Sequence, residues 1–586
     1  MHIYFENEKY DASLIEPYLG KDITLCDEGN NLRSTNRVGY IFVSNGPYTG
    51  PVFILPKNFL VQEKCGRKNV LGMTGIYPQD VTDTDNPDNP LEVDGKGTFL
   101  PELGLWLYRS LNRFRSENID NNIGQDADLD AQLPEDNARD KDFLSNALEL
   151  IDFLKDHRNM FTQISLINHS GNNKIDWAKT VQGDPFFNNG EPWYLDPAEK
   201  DKAINIDDRL IVLYYSVLRY LRDKYRFPID IGEVPYQLLP PTEVQKLIDT
   251  GIGNKELKRI RPKYYRDDLK HLWTLLDSFF AHNSSDEDKE KRKEYLLVGN
   301  FHIVFEAMID RLVTDTHGVE NLKKQDDGKL IDHIFRYTSL VGKRHDIYFI
   351  GDSKYYSDKK KPEGVALYKQ FTYAKNAIQY NIDEYYLSHN TLPGNIRYRD
   401  TVTEGYNITP NFFIRPRAER DDIDFNKPTL ELTYWDKGKQ QKYPAPNKHF
   451  EDRLFDRDTL LLREFSINLL FVIAAYAGYE DNYWASELHK AIRDSIIDSI
   501  DEEYDFYILT PQGELPQKFN YLYKEWLEGR AYMLDDGEDS MILAFEKTPK
   551  GKEDKEKFDN IHLRSYDTGE EVKYDIYPTT LKELSK

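Results

Sequence analysis

The sequence predicts an α/β protein. Three observations carry that expectation. Short β-branched and aromatic runs bounded by Gly, Pro and Asn fill the first 110 residues. Apolar stripes at helical spacing take over from 142, and from 329 strands and helices alternate. Aromatic residues make up 13% of the 586-residue chain, enough to fill cores and to exclude a disordered or fibrous chain. A chain of this length is expected to form roughly three to five packing units.

The elements follow in order. Val38–Val43 and Val52–Leu55 read as strands, and the Asp-, Asn- and Pro-rich residues 80–90 as a loop. Residues 117–142 are acidic, carry little apolar content and read as a mobile linker. Within it, Asp126, Asp128 and Asp130 open like a calcium loop, but Ala131 and Asn137 stand where Gly and Glu are needed, so that site is rejected. Leucine-rich stripes predict helices over 142–160, 207–225 and 266–281. Ser284 to Glu287 offer caps for a long fourth helix, 286–314. Strands are then expected at Leu330–Tyr337 and Asp346–Asp352, a helix at 363–381, a strand at Asn411–Arg415, and a strand-then-helix unit over Asp456–Ala477. Beyond 480 the pattern is mixed, and the last ~30 residues are the least expected to be ordered. Trp177 is read as a core residue, and His333 as a packed histidine on the strand face opposite Asp332.

Charge and cysteine usage narrow the function. With 77 Lys and Arg against 101 Asp and Glu, the net charge is −24, which argues against a generic nucleic-acid coat but not against a local basic groove. The two cysteines, Cys26 and Cys65, point to a reducing cytoplasm and exclude a Cys-rich zinc site. Met1–Glu8 lacks the basic-then-apolar order of a signal peptide. The longest apolar stretch, Ile467–Ala477, is about half of the ~20 residues a membrane span requires, so no membrane association is expected.

One stretch has the residues for chemistry. Asp332 lies in a predicted strand, and Asp352-Ser353-Lys354 closes the next, after the apolar run Ile347–Ile350. A carboxylate ending such a run is costly unless it has a metal or a partner. Asp332 and Asp352, helped by Glu306 on the preceding helix or by a carbonyl at Ser353, suit Mg²⁺ (Mn²⁺ can substitute). The metal would polarise a phosphodiester and activate water. Lys354 lies two residues from Asp352, hence on the same strand face, where it can orient that water and offset developing charge. Gln370 and Tyr373 share a helix face, from which they can touch the nucleic-acid backbone or Lys354. An Asp-x-Lys triplet alone is weak, since Asp94-Gly-Lys96 and Asp268-Leu-Lys270 also occur. A structural ion pair at a strand end is the competing reading.

These residues resemble the PD-(D/E)XK nucleases, and within them the McrC and LlaJI-type restriction endonuclease subunits. The resemblance is carried by Asp332, by Asp352-Ser353-Lys354-Tyr355-Tyr356 and by Tyr368-Lys369-Gln370-Phe371-Thr372-Tyr373-Ala374. Weaker likeness extends to Lys174–Thr180, Arg453–Leu460 and Ile467–Val472. It implies a restriction-endonuclease-like core, a mixed sheet flanked by helices. It further implies a Mg²⁺-dependent DNA endonuclease with Asp332 and Asp352 as metal ligands, Lys354 as catalytic lysine and Glu306 as helix acid. A McrB-like AAA+ GTPase is the implied partner. Ile331 departs from the family's proline. The chain carries no Walker phosphate loop, so the nucleotide motor is expected on a separate subunit.

The expected organisation is a β-rich N-terminal domain (1–116), an acidic linker (117–142), a helical region for DNA or partner contact (143–285), the nuclease domain (286–480) and a C-terminal extension (481–586). Double-stranded DNA is the expected substrate, in a restriction or phage-defence system, with a homodimer through the nuclease domain as a further expectation. Lys258, Arg259, Arg261, Lys263 and Arg266, interleaved with Tyr264 and Tyr265, could lie along phosphates; a solvated helix start fits them equally. Lys359, Lys360 and Lys361 follow the catalytic triplet and would lie near bound phosphate. Two rivals stand beside this reading: a nuclease of DNA repair or RNA, and an inactive nuclease-fold scaffold that docks on the motor.

Overall fold

The structure is a computed structural model. It describes residues 1–26, 31–43, 48–63, 66–83, 99–118, 122–133, 141–158, 160–169, 174–283, 294–324, 330–356, 364–388, 396–400, 403, 405–419, 423–433, 453–478, 481–512, 529–534, 540–560, 570–571 and 573–585. The fold is α/β, as the sequence predicts.

The first sheet orders its strands His2–Phe5, Gly50–Leu55, Val38–Val43, Glu294–Val298 and Leu129–Gln132. Two of these correct the expectations. The helix expected over 286–314 is instead the strand Glu294–Val298 followed by the helix Phe301–Val313. The run Tyr295-Leu296-Leu297-Val298 is continuously apolar, and Gly299-Asn300 breaks it from the helix that follows. The acidic segment also holds structure. Asn122–Asp126 is helical, and Leu129–Gln132 pairs with Tyr295–Val298 at the sheet edge. One sheet therefore joins residues from the expected N-terminal domain, linker and nuclease domain.

The helices Phe143–Asp156, Arg209–Tyr225 and Asp267–Asn283 lie close to their predicted spans. Asp142 and Asp208 cap the first two, their carboxylates accepting from main-chain N–H groups of the first turn. Between these two helices, residues 160–206 form a small three-stranded sheet and a separate hairpin. Trp177 sits there on a short helix and is 60% exposed, not in the core. A four-residue helix on so small a sheet has no second layer to cover it.

The sheet that positions the site runs His333–Thr338, Asp346–Ser353, Pro410–Arg417, Leu461–Asn468 and Leu430–Leu432. Its outer pairs are antiparallel and its central pairs parallel. Alternation divides the Asp346–Ser353 strand between two cores. Ile347 and Phe349 join the main core, with Phe335, Phe412 and the helix Leu469–Ala477. Tyr348 and Ile350 join a separate cluster with Tyr373 and Ala377 of the helix Gly364–Leu387. Gly351 lets the neighbouring strand close in, since a Cβ there would stand 2.4 Å from the Phe412 ring.

Within the last ~30 residues, where the sequence predicts least order, the described residues include the strand Tyr574–Thr579 and the helix Leu581–Leu584. Tyr504–Pro511, Ala531–Met533, Met541–Glu546 and Tyr574–Thr579 build an antiparallel four-stranded sheet. Main-chain pairing to Phe506–Pro511 holds the final strand, which composition does not reveal. Among the described residues no helix is long and apolar enough to cross a membrane.

Candidate active site

Asp332 and Asp352 meet across two antiparallel strands. His333 pairs with Gly351, so one step further Asp332 stands opposite Asp352. Asp352 is 1% exposed, and the Asp332 side chain 10%. Two like charges opposite one another in a buried place destabilise a strand pair unless something neutralises them.

Lysines supply part of that neutralisation. The Lys354 ammonium is in ion-pair contact with Asp352 Oδ2. Lys369 Nζ stands 3.5 Å from Asp332 Oδ1 and 3.7 Å from Asp352 Oδ1. Neither Asp352 oxygen accepts a hydrogen bond of regular geometry, so the ammonium contacts are close-range charge pairing. Burial, then the hydrogen bond and charge of Asp352, push the Asp332 carboxyl up to about 8. Burial also acts to raise Asp352. The close approach of the protonated Asp332 carboxyl and the charges of Lys354 and Lys369 outweigh it and hold Asp352 below the ordinary carboxylate range. The metal-free pair thus keeps one proton, on Asp332. For Lys369 burial favours the neutral amine, but Asp332 and Asp352 prevail and keep it charged.

The helix Phe301–Val313 buries Phe301, Val304, Phe305 and Met308 and turns a polar stripe toward the strands. His302, Glu306 and Asp310 recur on that stripe at four-residue steps. His302 and Glu306 line a cavity of about 770 Å³ together with Asp332, Asp352, Lys354 and Lys57. Asp310 serves the opposite strand face. It is bonded to Lys323 Nζ at 2.6 Å through Oδ2 and lies 3.4 Å from His333 Nδ1, while His333 Nε2 meets Ser353 Oγ at 2.6 Å. His333 is fully buried, as its place on the strand predicts. Ser353 lines the cavity, but its hydroxyl is turned to His333, so the contact predicted for it can come only from its main chain.

Gln370 is fully buried, and neither atom of its amide has a hydrogen-bond partner among the described residues. Tyr373 lines the cavity, yet its hydroxyl donates to the Leu330 carbonyl at 2.6 Å and its side chain is 2% exposed. Its hydroxyl therefore anchors the loop before Asp332 and is not presented to a DNA backbone. Lys258, Arg259, Arg261, Lys263 and Arg266 are exposed on the helical layer, and none lines the cavity. Arg261 covers the Trp273 ring at 4.7 Å, and Arg266 is paired with Asp268 at 2.5 Å. Lys359, Lys360 and Lys361 lie outside the described residues.

No family model matches the chain, and no curated protein does. Among solved structures it is similar to the refined half-complex from a tetradecameric assembly of Thermococcus gammatolerans McrB AAA+ hexamers with bound McrC. Identity is 11% over 85% of this chain and 99% of that chain, with a TM-score of 0.23. A likeness of that degree carries no argument about this chain.

The donor set itself answers whether a divalent cation fits. Two opposed carboxylates, one with buried oxygens lacking regular donors, are hard oxygen ligands of the kind Mg²⁺ takes. Among the described residues, however, no three His, Cys, Asp or Glu groups stand close enough to hold a metal together. Glu306 thus stands off from the pair and acts on Asp332 through its charge. Three cavity residues escaped the sequence: Lys57, His302 and Lys369. Lys369 adjoins the chosen Gln370, and His302 lies one turn before the chosen Glu306, so helical spacing could have found both. Lys57 carries no such signal.

Proposed function

We propose that the chain is a Mg²⁺-dependent DNA endonuclease of the PD-(D/E)XK type, working in a restriction system with a McrB-like AAA+ GTPase on a separate subunit. The observation that carries the nuclease reading is the opposition of Asp332 and Asp352, with Lys354 on the same strand face, at one end of a mixed sheet. The partner rests on the sequence resemblance alone.

In this reading Asp332 and Asp352 would hold the cation, which supplies charge neutralisation at the phosphate and activates water when bound. Asp332 would have to release its proton to solvent to serve as a ligand. Lys354, now against Asp352, would be free to orient the attacking water and offset charge growing on the phosphate once a cation neutralises that carboxylate. Lys369, kept cationic by both aspartates, holds their carboxylates in place.

The scaffold reading has two observations in its favour: Lys354 closes on Asp352, and among the described residues Glu306 does not complete a three-ligand set. Supercoiled plasmid incubated with Mg²⁺ and the full chain, with and without a McrB-like GTPase and GTP, decides between them. Nicking by the wild type but not by Asp352→Ala or Lys354→Ala is expected. Equal nicking by all three would remove the site assignment, and a chain that only stimulates GTP hydrolysis would be the scaffold.

A further inference from the structure

We propose that the N-terminal domain completes the catalytic cleft, and that Lys57 binds a backbone phosphate of duplex DNA within it. The inference rests on the nuclease reading above and adds a substrate contact to it.

Lys57 begins a single 3₁₀ turn, Lys57–Phe59, directly after the strand Gly50–Leu55 and Pro56. That turn docks on the chain leaving the active site. The Asn58 amide donates to the Tyr356 carbonyl at 2.8 Å, and the Tyr355 hydroxyl donates to Glu6 Oε2 at 2.6 Å. Tyr355, next after Lys354, is wedged between the Phe301 and Phe305 rings on one side and the Lys57 ammonium, 4.5 Å from its ring centre, on the other. Lys57 is thus fixed relative to Lys354 by buried contacts, although about 300 residues separate them in sequence, the span of the Asn58–Tyr356 bond being 298.

Charge in the cavity points to what Lys57 meets. Three lysines, Lys57, Lys354 and Lys369, line it with three carboxylates, Glu306, Asp332 and Asp352. Lys354 and Lys369 are engaged with the two aspartates. Lys57 has a different partner, Glu6 at 3.5 Å. Glu6 Oε2 already accepts from the Tyr355 hydroxyl and from the Lys57 main-chain N–H, at 2.6 and 3.2 Å. The carboxylate therefore keeps donors when the ammonium swings away. The Lys57 side chain is 31% exposed, long and unbranched, and an ammonium is a point-charge binder suited to a diester oxygen.

The test uses the full chain and a duplex of about two helical turns without Mg²⁺, so that binding is read without cutting. Dissociation constants are measured between about 50 and 200 mM salt, because each neutralised phosphate contributes about 0.9 to the slope of log K against log salt. The expected result is that Lys57→Gln reduces the slope by about 0.9, and that Lys57→Arg restores it. Were Lys57 only a counter-charge for Glu6, Lys57→Gln would lower the melting temperature and leave the slope at the wild-type value. That outcome overturns the inference and spares the nuclease reading. Absence of binding by the wild type would overturn the inference, and the nuclease reading would then rest on the nicking assay with the GTPase present.

Discussion

Asp332 and Asp352 face each other on adjacent antiparallel strands, buried and sharing a single proton. The empty site therefore costs stability increasingly as the pH rises from about 4, fully above about 8, and a bound cation would relieve it. Each unit by which a carboxyl is raised represents about 1.4 kcal/mol of resistance to ionisation, so Asp332→Asn should stabilise the metal-free protein by on the order of a few kcal/mol above pH 8. Mg²⁺ at 100 times its dissociation constant should raise wild-type stability by about 2.7 kcal/mol. It should leave Asp332→Asn nearly unmoved. Thermal melts with and without Mg²⁺ read both effects, and an equal Mg²⁺ shift in the two proteins would exclude this pair as the ligands.

Gln370 offers a second separation of stability from activity. Its buried amide makes no hydrogen bond within the described residues, which costs roughly 1–3 kcal/mol in a folded protein. Gln370→Met keeps the volume and removes the orphaned polar atoms. The variant should melt higher than the wild type and lose nicking activity. A variant that is more stable and fully active would make Gln370 a packing residue.

The Tyr355–Glu6 bond ties the chain just after the strand His2–Phe5 to the residue following Lys354, the lysine proposed to be catalytic. Burial, then the charge of Glu6, holds the Tyr355 hydroxyl well above its ordinary pKa, so it remains a donor at all working pH values. Tyr355→Phe removes that donor from a buried carboxylate, at a cost of about 1–3 kcal/mol. The Lys57 main-chain N–H and ammonium remain to serve Glu6, so a value near the lower bound is expected. Nicking should fall more than stability accounts for, because Lys57 and Lys354 lose their common anchor. Denaturant melts beside plasmid assays under conditions where the variant is fully folded check this.

What the sequence revealed and what it hid divide along contact range. Asp332, Asp352 and Lys354 were legible because an apolar run that ends in a carboxylate is a local signal, and the antiparallel register then made them neighbours. Glu306 was legible as a helix acid, but its distance from the pair was not, because helix placement depends on the tertiary packing of Val304, Phe305 and Met308. Lys57 was invisible, since only the docking of Glu6 and Asn58 on Tyr355 and Tyr356 brings it to the cavity. The Glu294–Val298 strand was mistaken for helix because its apolar run has no period of its own and joins a sheet whose other strands lie far away in sequence. Tyr373 had the right helix face, but a hydroxyl can be claimed by a nearby carbonyl, here that of Leu330.

His489 fastens the helix Asp481–Glu503 to the sheet that carries Asp332 and Asp352, and its stacking on Phe335 predicts a pH-dependent contribution to stability. His489 lies nearly parallel to the Phe335 ring with centroids 3.8 Å apart, and its Nε2 meets the Val313 carbonyl at 2.5 Å. Burial lowers its pKa, against the opposing pull of that carbonyl and of Asp315. A histidine whose folded pKa is depressed binds its proton more readily when unfolded. The stability it contributes is complete above the unfolded value of 6.5 and is lost as the pH falls below it, at up to about 1.4 kcal/mol per pH unit for one proton. His489→Gln does not titrate and should flatten this portion of the profile while lowering stability at pH 8 through loss of the ring contact. Urea melts at pH 8, 6.5 and 5.5 test it: an unchanged slope between 6.5 and 5.5 in the variant would assign the acid sensitivity to other groups.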